Sequence, residues 1–262
     1  MLPIIQVDAF TSRPYRGNPA AVCVLTEPRP DGWMRDVAAE MNLSETAFLV
    51  PEGDGYRLRW MTPAVEVDLC GHATLAGAHV LWEDGHLAAG APARFYTRSG
   101  PLSAEKHGEW IEMDFPATPG EPAAAPEGLA RALGVKPVNA ARSRFDILVE
   151  IESPEQLRSL RPDFTALARE DARGIIVTSR SDDAGYDFLS RFFAPAVGIN
   201  EDPVTGSAHC CLAPYWAARL GKAEMIAYQA SARGGVVRVR TAGDRVRLAG
   251  QAVTVLRGEL LF

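Results

Sequence analysis

The feature that most constrains this chain is a long internal repeat. The stretch Arg59-Trp60-Met61-Thr62-Pro63-Ala64-Val65-Glu66-Val67 resembles Arg191-Phe192-Phe193-Ala194-Pro195-Ala196-Val197-Gly198-Ile199, 132 residues further on (191 − 59). Each copy reads as an apolar strand that ends at a Pro-Ala turn. A short loop and a helix start rich in glycine and other small residues follow each copy. The first runs Asp68-Leu69-Cys70-Gly71-His72-Ala73-Thr74, the second Glu201-Asp202-Pro203-Val204-Thr205-Gly206-Ser207-Ala208. Gly71 matches Gly206 at an offset of 135 (206 − 71), so the second loop is three residues longer. Solenoid repeats recur every ~20–50 residues, whereas a single copy at half the chain length marks a duplicated domain.

The expected fold is therefore α+β, in two pseudo-symmetric halves. The first half takes 1–116 and is completed by a C-terminal strand within 252–262; the second takes 117–251. The Pro/Ala/Gly-rich stretch from Pro116 to Pro126 reads as the linker. Segments 20–25, 145–151, 174–178 and 236–240 are apolar and read as strands. Met34, Val37, Ala38 and Met41 recur at helical spacing, which predicts an amphipathic helix starting near Asp31.

Composition narrows the function. With 33 acidic and 27 basic residues the formal charge is −6, which argues against a nucleic-acid surface. The four cysteines, Cys23, Cys70, Cys210 and Cys211, show no disulfide spacing. No apolar run approaches the ~20 residues of a membrane span, and the N-terminus lacks a basic leader region. A cytoplasmic protein with no membrane partner is the expectation.

The two helix starts concentrate the chemistry. The first N–H groups of a helix lack partners within it, and its N-terminus carries roughly +0.5 charge. Small residues there let a ligand approach, so two such ends facing one another would cradle a small anion. The plainer reading is that Gly71 and Gly206 only permit tight turns. His72, Asp202 and Ser207 sit at these starts, and Glu45 enters an apolar strand. Asp202 and Ser207 could equally act as caps, and a glutamate like Glu45 is ordinarily solvated.

Four motifs taken together, Arg16-Gly17-Asn18-Pro19-Ala20, Asn42-Leu43-Ser44-Glu45-Thr46, Cys70-Gly71-His72-Ala73-Thr74 and Glu201 to Ala208, resemble the phenazine-biosynthesis PhzF-like family across nearly the whole chain. The resemblance implies a diaminopimelate epimerase-like fold, each half a mixed sheet curled around a central helix, with the active site between the halves and a homodimeric assembly. It implies a cofactor-independent isomerase that shifts a proton on a small cyclic or amino carboxylate, such as trans-2,3-dihydro-3-hydroxyanthranilate. Glu45 would be the acid/base, with His72, Asp202 and Ser207 around the substrate. Asn18, Ser44, Gly71, Ala73, Thr74, Thr205 and Gly206 would line the site.

Two other readings stand beside this one. A two-base amino-acid racemase or epimerase needs a second thiol, but Thr205 stands where Cys70 stands in the first half. A non-catalytic small-molecule binding protein could use the same scaffold. A metal centre is not expected, because His209, Cys210 and Cys211 lie within one helix and cannot all point one way.

Overall fold

A computed structural model describes residues 1–261. It divides into two compact units, Met1–Asp114 together with the C-terminal segment from Ala249, and Phe115–Leu248.

The first unit contains β1 (Leu2–Ala9), β2 (Asn18–Val24), α1 (Asp31–Met41), β3 (Glu45–Glu52), β4 (Gly55–Met61), β5 (Glu66–Val67), α2 (Gly71–Glu83), β6 (Ala93–Thr97), β7 (Gly100–His107) and β8 (Trp110–Pro116). The C-terminal strand Ala252–Leu260 runs antiparallel to β1, Leu2 opposite Leu260. From β1 onward the pairings are antiparallel, parallel, antiparallel, antiparallel to β5, then parallel from β4 to β6 and antiparallel to β7.

The second unit repeats this sequence of pairings. Its elements are β9 (Glu121–Pro122), α3 (Leu129–Leu133), β10 (Asn139–Arg142), β11 (Asp146–Glu150), α4 (Pro154–Ser159), α5 (Phe164–Leu167), β12 (Gly174–Arg180), β13 (Phe188–Ala194), β14 (Ile199–Asp202), α6 (Gly206–Leu220), β15 (Glu224–Gln229), β16 (Gly235–Ala242) and β17 (Arg245–Gly250). Strand β10 pairs antiparallel with β11, β11 parallel with β12, and β12 antiparallel with β13. Strand β13 then pairs antiparallel with β14 and parallel with β15, and β15 antiparallel with β16.

Each unit buries a helix almost entirely. Helix α2 is apolar on every side, and small residues let strands come close: a Cβ on Gly77 would lie 3.2 Å from Leu49. Helix α6 is likewise buried from Gly206 to Trp216 apart from Ser207 and Pro214. An all-round apolar helix belongs in a core rather than on a surface. In the first unit α1 contributes Met34, Val37 and Ala38 to a second core with Ala21, Cys23, Phe48 and Met61. In the second, α3, α4 and α5 cover the corresponding face with Leu129, Leu133, Leu157 and Leu167 against Val149, Val177 and Phe193.

The repeat is also visible in side chains. Arg59 donates to both carboxylate oxygens of Glu66, at 2.8 and 2.5 Å, and brackets β4 to β5. Arg191 does the same to Glu201, at 2.7 and 2.8 Å, from β13 to β14. The Pro116–Pro126 stretch begins just past the boundary between the two units. Its backbone is bonded into the second unit, Ala117 N–H to Asp244, Thr118 N–H to Cys210 and Ala123 N–H to Ala140.

Arg191 is the more deeply buried of the two arginines and also donates to the carbonyls of Leu157 and Leu160. Arg191→Met leaves Glu201 without its partner and should cost about 3 kcal/mol. Arg59→Met should cost less. Denaturant unfolding of both variants checks the order; equal losses would contradict it.

Candidate active site

In the first unit the site begins with a strained loop. Phe10 and Tyr15 hold positive φ values of 63° and 66°, and the Tyr15 N–H donates to buried Asp8 at 2.6 Å. Gly17 then turns at φ 65°, where a Cβ would lie 2.1 Å from the carbonyl oxygen of Ala9. Only glycine fits there. The turn delivers Asn18, fully buried, to the start of β2.

Asn18 meets His72. The Asn18 side-chain nitrogen lies 3.2 Å from His72 Nδ1, and Cys70 Sγ lies 3.4 Å from the same nitrogen. An amide nitrogen can only donate, so Nδ1 is the acceptor and the ring proton sits on Nε2. His72 Nε2 is 3.2 Å from Glu45 Oε2, and both side chains are largely buried. Burial pulls the His72 pKa down to about 3, so the ring is neutral. The arrangement is a neutral imidazole beside a carboxylate at the first residue of β3. Ser44 is half-buried in the turn before that strand.

Gly71 and Ala73 flank His72 in the first turn of α2. Thr74 serves the turn itself: its hydroxyl donates to the Cys70 carbonyl at 2.6 Å, and its N–H to the same oxygen at 3.1 Å. Among the described residues, Glu45, Cys70 and His72 form the group of potential metal ligands, their atoms within 4.8 Å of one another.

The second helix start carries different chemistry on the same frame. The Thr205 hydroxyl donates to Asp202 Oδ2 at 2.5 Å, and its N–H donates to Gln229 Oε1 at 2.9 Å. The Gln229 amide nitrogen donates back to the Asp202 carbonyl at 2.8 Å and to the Thr205 hydroxyl at 3.2 Å. Gln229 is fully buried at the end of β15 and locks the loop before Gly206. His209 occupies the place of Thr74 and repeats its role, Nδ1 donating to the Thr205 carbonyl at 2.8 Å. Ser207 Oγ, in the place of His72, accepts from Arg173 at 3.0 Å.

Glu45, His72, Asn18 and Cys70 thus gather at one helix start, and Asp202, Thr205, Gly206 and Ser207 at the other. Sequence reasoning missed Gln229, Arg173 and the latter's partner Asp146. Asp146 was visible as a charge inside the apolar run 145–151, whereas Gln229 and Arg173 left no motif.

Histidine burial makes stability pH-dependent. His209 is held neutral down to about 4 by burial, against its ordinary 6.5. Below about pH 6.5 the unfolded chain binds protons that folded His72 and His209 refuse, so stability falls as pH drops from there and is full above it. His209→Gln, which keeps a donor for Thr205, should lose less stability than wild type between pH 7 and 5 in urea titrations. Identical slopes would contradict this.

Residues 7–258 match the family described as phenazine biosynthesis-like protein, PhzC–PhzF. A protein named as an uncharacterized isomerase of Halalkalibacterium halodurans is 60% identical over 261 residues, 99% of this chain and 98% of its own. A second, of Pseudomonas aeruginosa, is 53% identical over 256 residues and 97% of each chain. The crystal structure of a PhzF-family phenazine biosynthesis protein from Enterococcus faecalis superposes with a TM-score of 0.96 at 43% identity, over 100% of this chain and 99% of the other. The chain belongs to the phenazine biosynthesis-like family.

Proposed function

We propose that this protein is a cofactor-independent isomerase that moves a proton on a small cyclic or amino carboxylate, with Glu45 as the acid/base. The observation that carries the reading is the buried Glu45–His72 pair, Oε2 and Nε2 3.2 Å apart. The Glu45 carboxylate takes a proton from carbon, and the electron pair left behind enters the substrate's conjugated system. The same carboxyl returns the proton to another carbon, so no group is oxidised or consumed. The neutral His72 N–H steadies Glu45 while it is ionised.

Asp202 and Ser207 enter the reading through the family resemblance, as groups that orient the substrate. A two-thiol racemase is disfavoured, because Thr205 replaces the second thiol and its hydroxyl is committed to Asp202. The relatives named as isomerases support the reaction class. Phenazine precursors are the family's natural first substrates to try.

The test is proton exchange followed by NMR in D₂O, with trans-2,3-dihydro-3-hydroxyanthranilate and a panel of amino acids. Wild type should rearrange or deuterate one of them. Glu45→Gln should lower that rate at least ~10²-fold with an unfolding midpoint close to wild type. A Glu45→Gln variant at near-wild-type rate would remove Glu45 from the chemistry.

A further inference from the structure

In the second unit, the position of Glu45 holds no acid. Trp60 pairs with Ala47 and Phe192 with Ile176, so the repeat that equates Trp60 with Phe192 also equates Glu45 with Gly174. Gly174 has no side chain to offer, and a Cβ there would sit 2.3 Å from the Phe192 ring. The carboxylate appears instead on the neighbouring strand: Asp146 pairs with Gly174 as Ala20 pairs with Glu45.

Arg173, one residue before Gly174, connects that carboxylate to the helix start. Its Nε donates to Asp146 Oδ1 at 2.9 Å, and one Nη donates to Asp146 Oδ2 at 2.5 Å and to Ser207 Oγ at 3.0 Å. Its guanidinium lies 5.3 Å from the Phe145 ring centre and 5.5 Å from that of Phe192. Its N–H donates to the Phe145 carbonyl. Asp146 is 2% exposed, so the charged fork has a fixed, desolvated anchor.

We propose that Arg173, anchored on Asp146, is a positioning residue for Ser207: it fills one lone pair of Oγ and turns the hydroxyl hydrogen outward as a polarised donor for the substrate. This rests on the isomerase reading above. The duplicated frame then carries two different tools. The first unit holds the group that moves the proton, and the second holds a hydroxyl whose direction is set by a buried ion pair. An always-protonated guanidinium cannot serve as a second base, and its charge is matched by Asp146. It therefore sharpens the donor rather than offering a bare cation. Donation into an oxygen strengthens that oxygen's own O–H as a donor.

The test uses D146N/R173Q, which removes both charges without leaving a buried carboxylate alone, together with R173K and S207A. High-resolution crystal structures should show Ser207 in one rotamer in wild type and spread over several in D146N/R173Q. A single, unchanged rotamer in both overturns the inference whether or not any compound is turned over. On the compound that wild type rearranges, D146N/R173Q should lower kcat about 10–100-fold with KM within about threefold. Adding S207A should then cost less than about threefold more, and R173K should recover part of the loss. Fully additive losses from S207A and D146N/R173Q would also overturn it. If wild type rearranges nothing, the isomerase reading fails while the rotamer result still decides the role of Arg173.

Discussion

A neutral imidazole held between an amide and a carboxylate is the interaction on which the functional account depends. Asn18 fixes which nitrogen of His72 carries the proton, and that nitrogen lies 3.2 Å from Glu45 Oε2. Much of the first unit serves this contact. The bonded Asp8–Tyr15 turn and the Gly17 corner bring Asn18 in, β3 begins at Glu45, and the small first turn of α2 brings in His72. Burial of the ring keeps it uncharged, so a neutral group rather than a cation stands 3.2 Å from Glu45. A full positive charge beside it would hold that carboxylate ionised and make it a poorer base.

Duplication supplied one frame and evolution of side chains supplied two chemistries. Both units keep the bidentate Arg–Glu bracket across the turn before the helix, and both tie the carbonyl ahead of the helix with the fourth helical residue, Thr74 or His209. These shared contacts hold the helix starts in shape. What differs is what each start presents: a carboxylate and an imidazole in one, and in the other a serine bonded to an arginine, beside an aspartate bonded to a threonine. Gly174 stands where Glu45 stands in the first unit, so the second does not repeat that carboxylate.

The repeat, the glycine-led helices and the strands before them were legible in sequence, because each rests on local pattern or backbone conformation. Helix α1 begins at Asp31 as its spacing predicts. Candidate residues at the helix starts were legible for the same reason. Gln229 and Arg173 were not, since their role depends on strand register and on reach across tens of residues of chain, which no local pattern records. The proline-rich stretch after Pro116, expected as the linker, lies just past the boundary between the units. Its N–H groups find carbonyls in β10, in α6 and at Asp244, partners that composition does not reveal. Thr74, expected to line the site, spends its hydroxyl on the turn itself.

The most direct test of the central claim is ¹⁵N NMR of the histidine rings between pH 5 and 8. The account predicts that His72 stays neutral throughout, protonated on Nε2 and unprotonated on Nδ1, and that Asn18→Ala loosens this preference. A His72 ring that titrates near 6.5, or carries its proton on Nδ1, would contradict the arrangement from which the chemistry of Glu45 is argued.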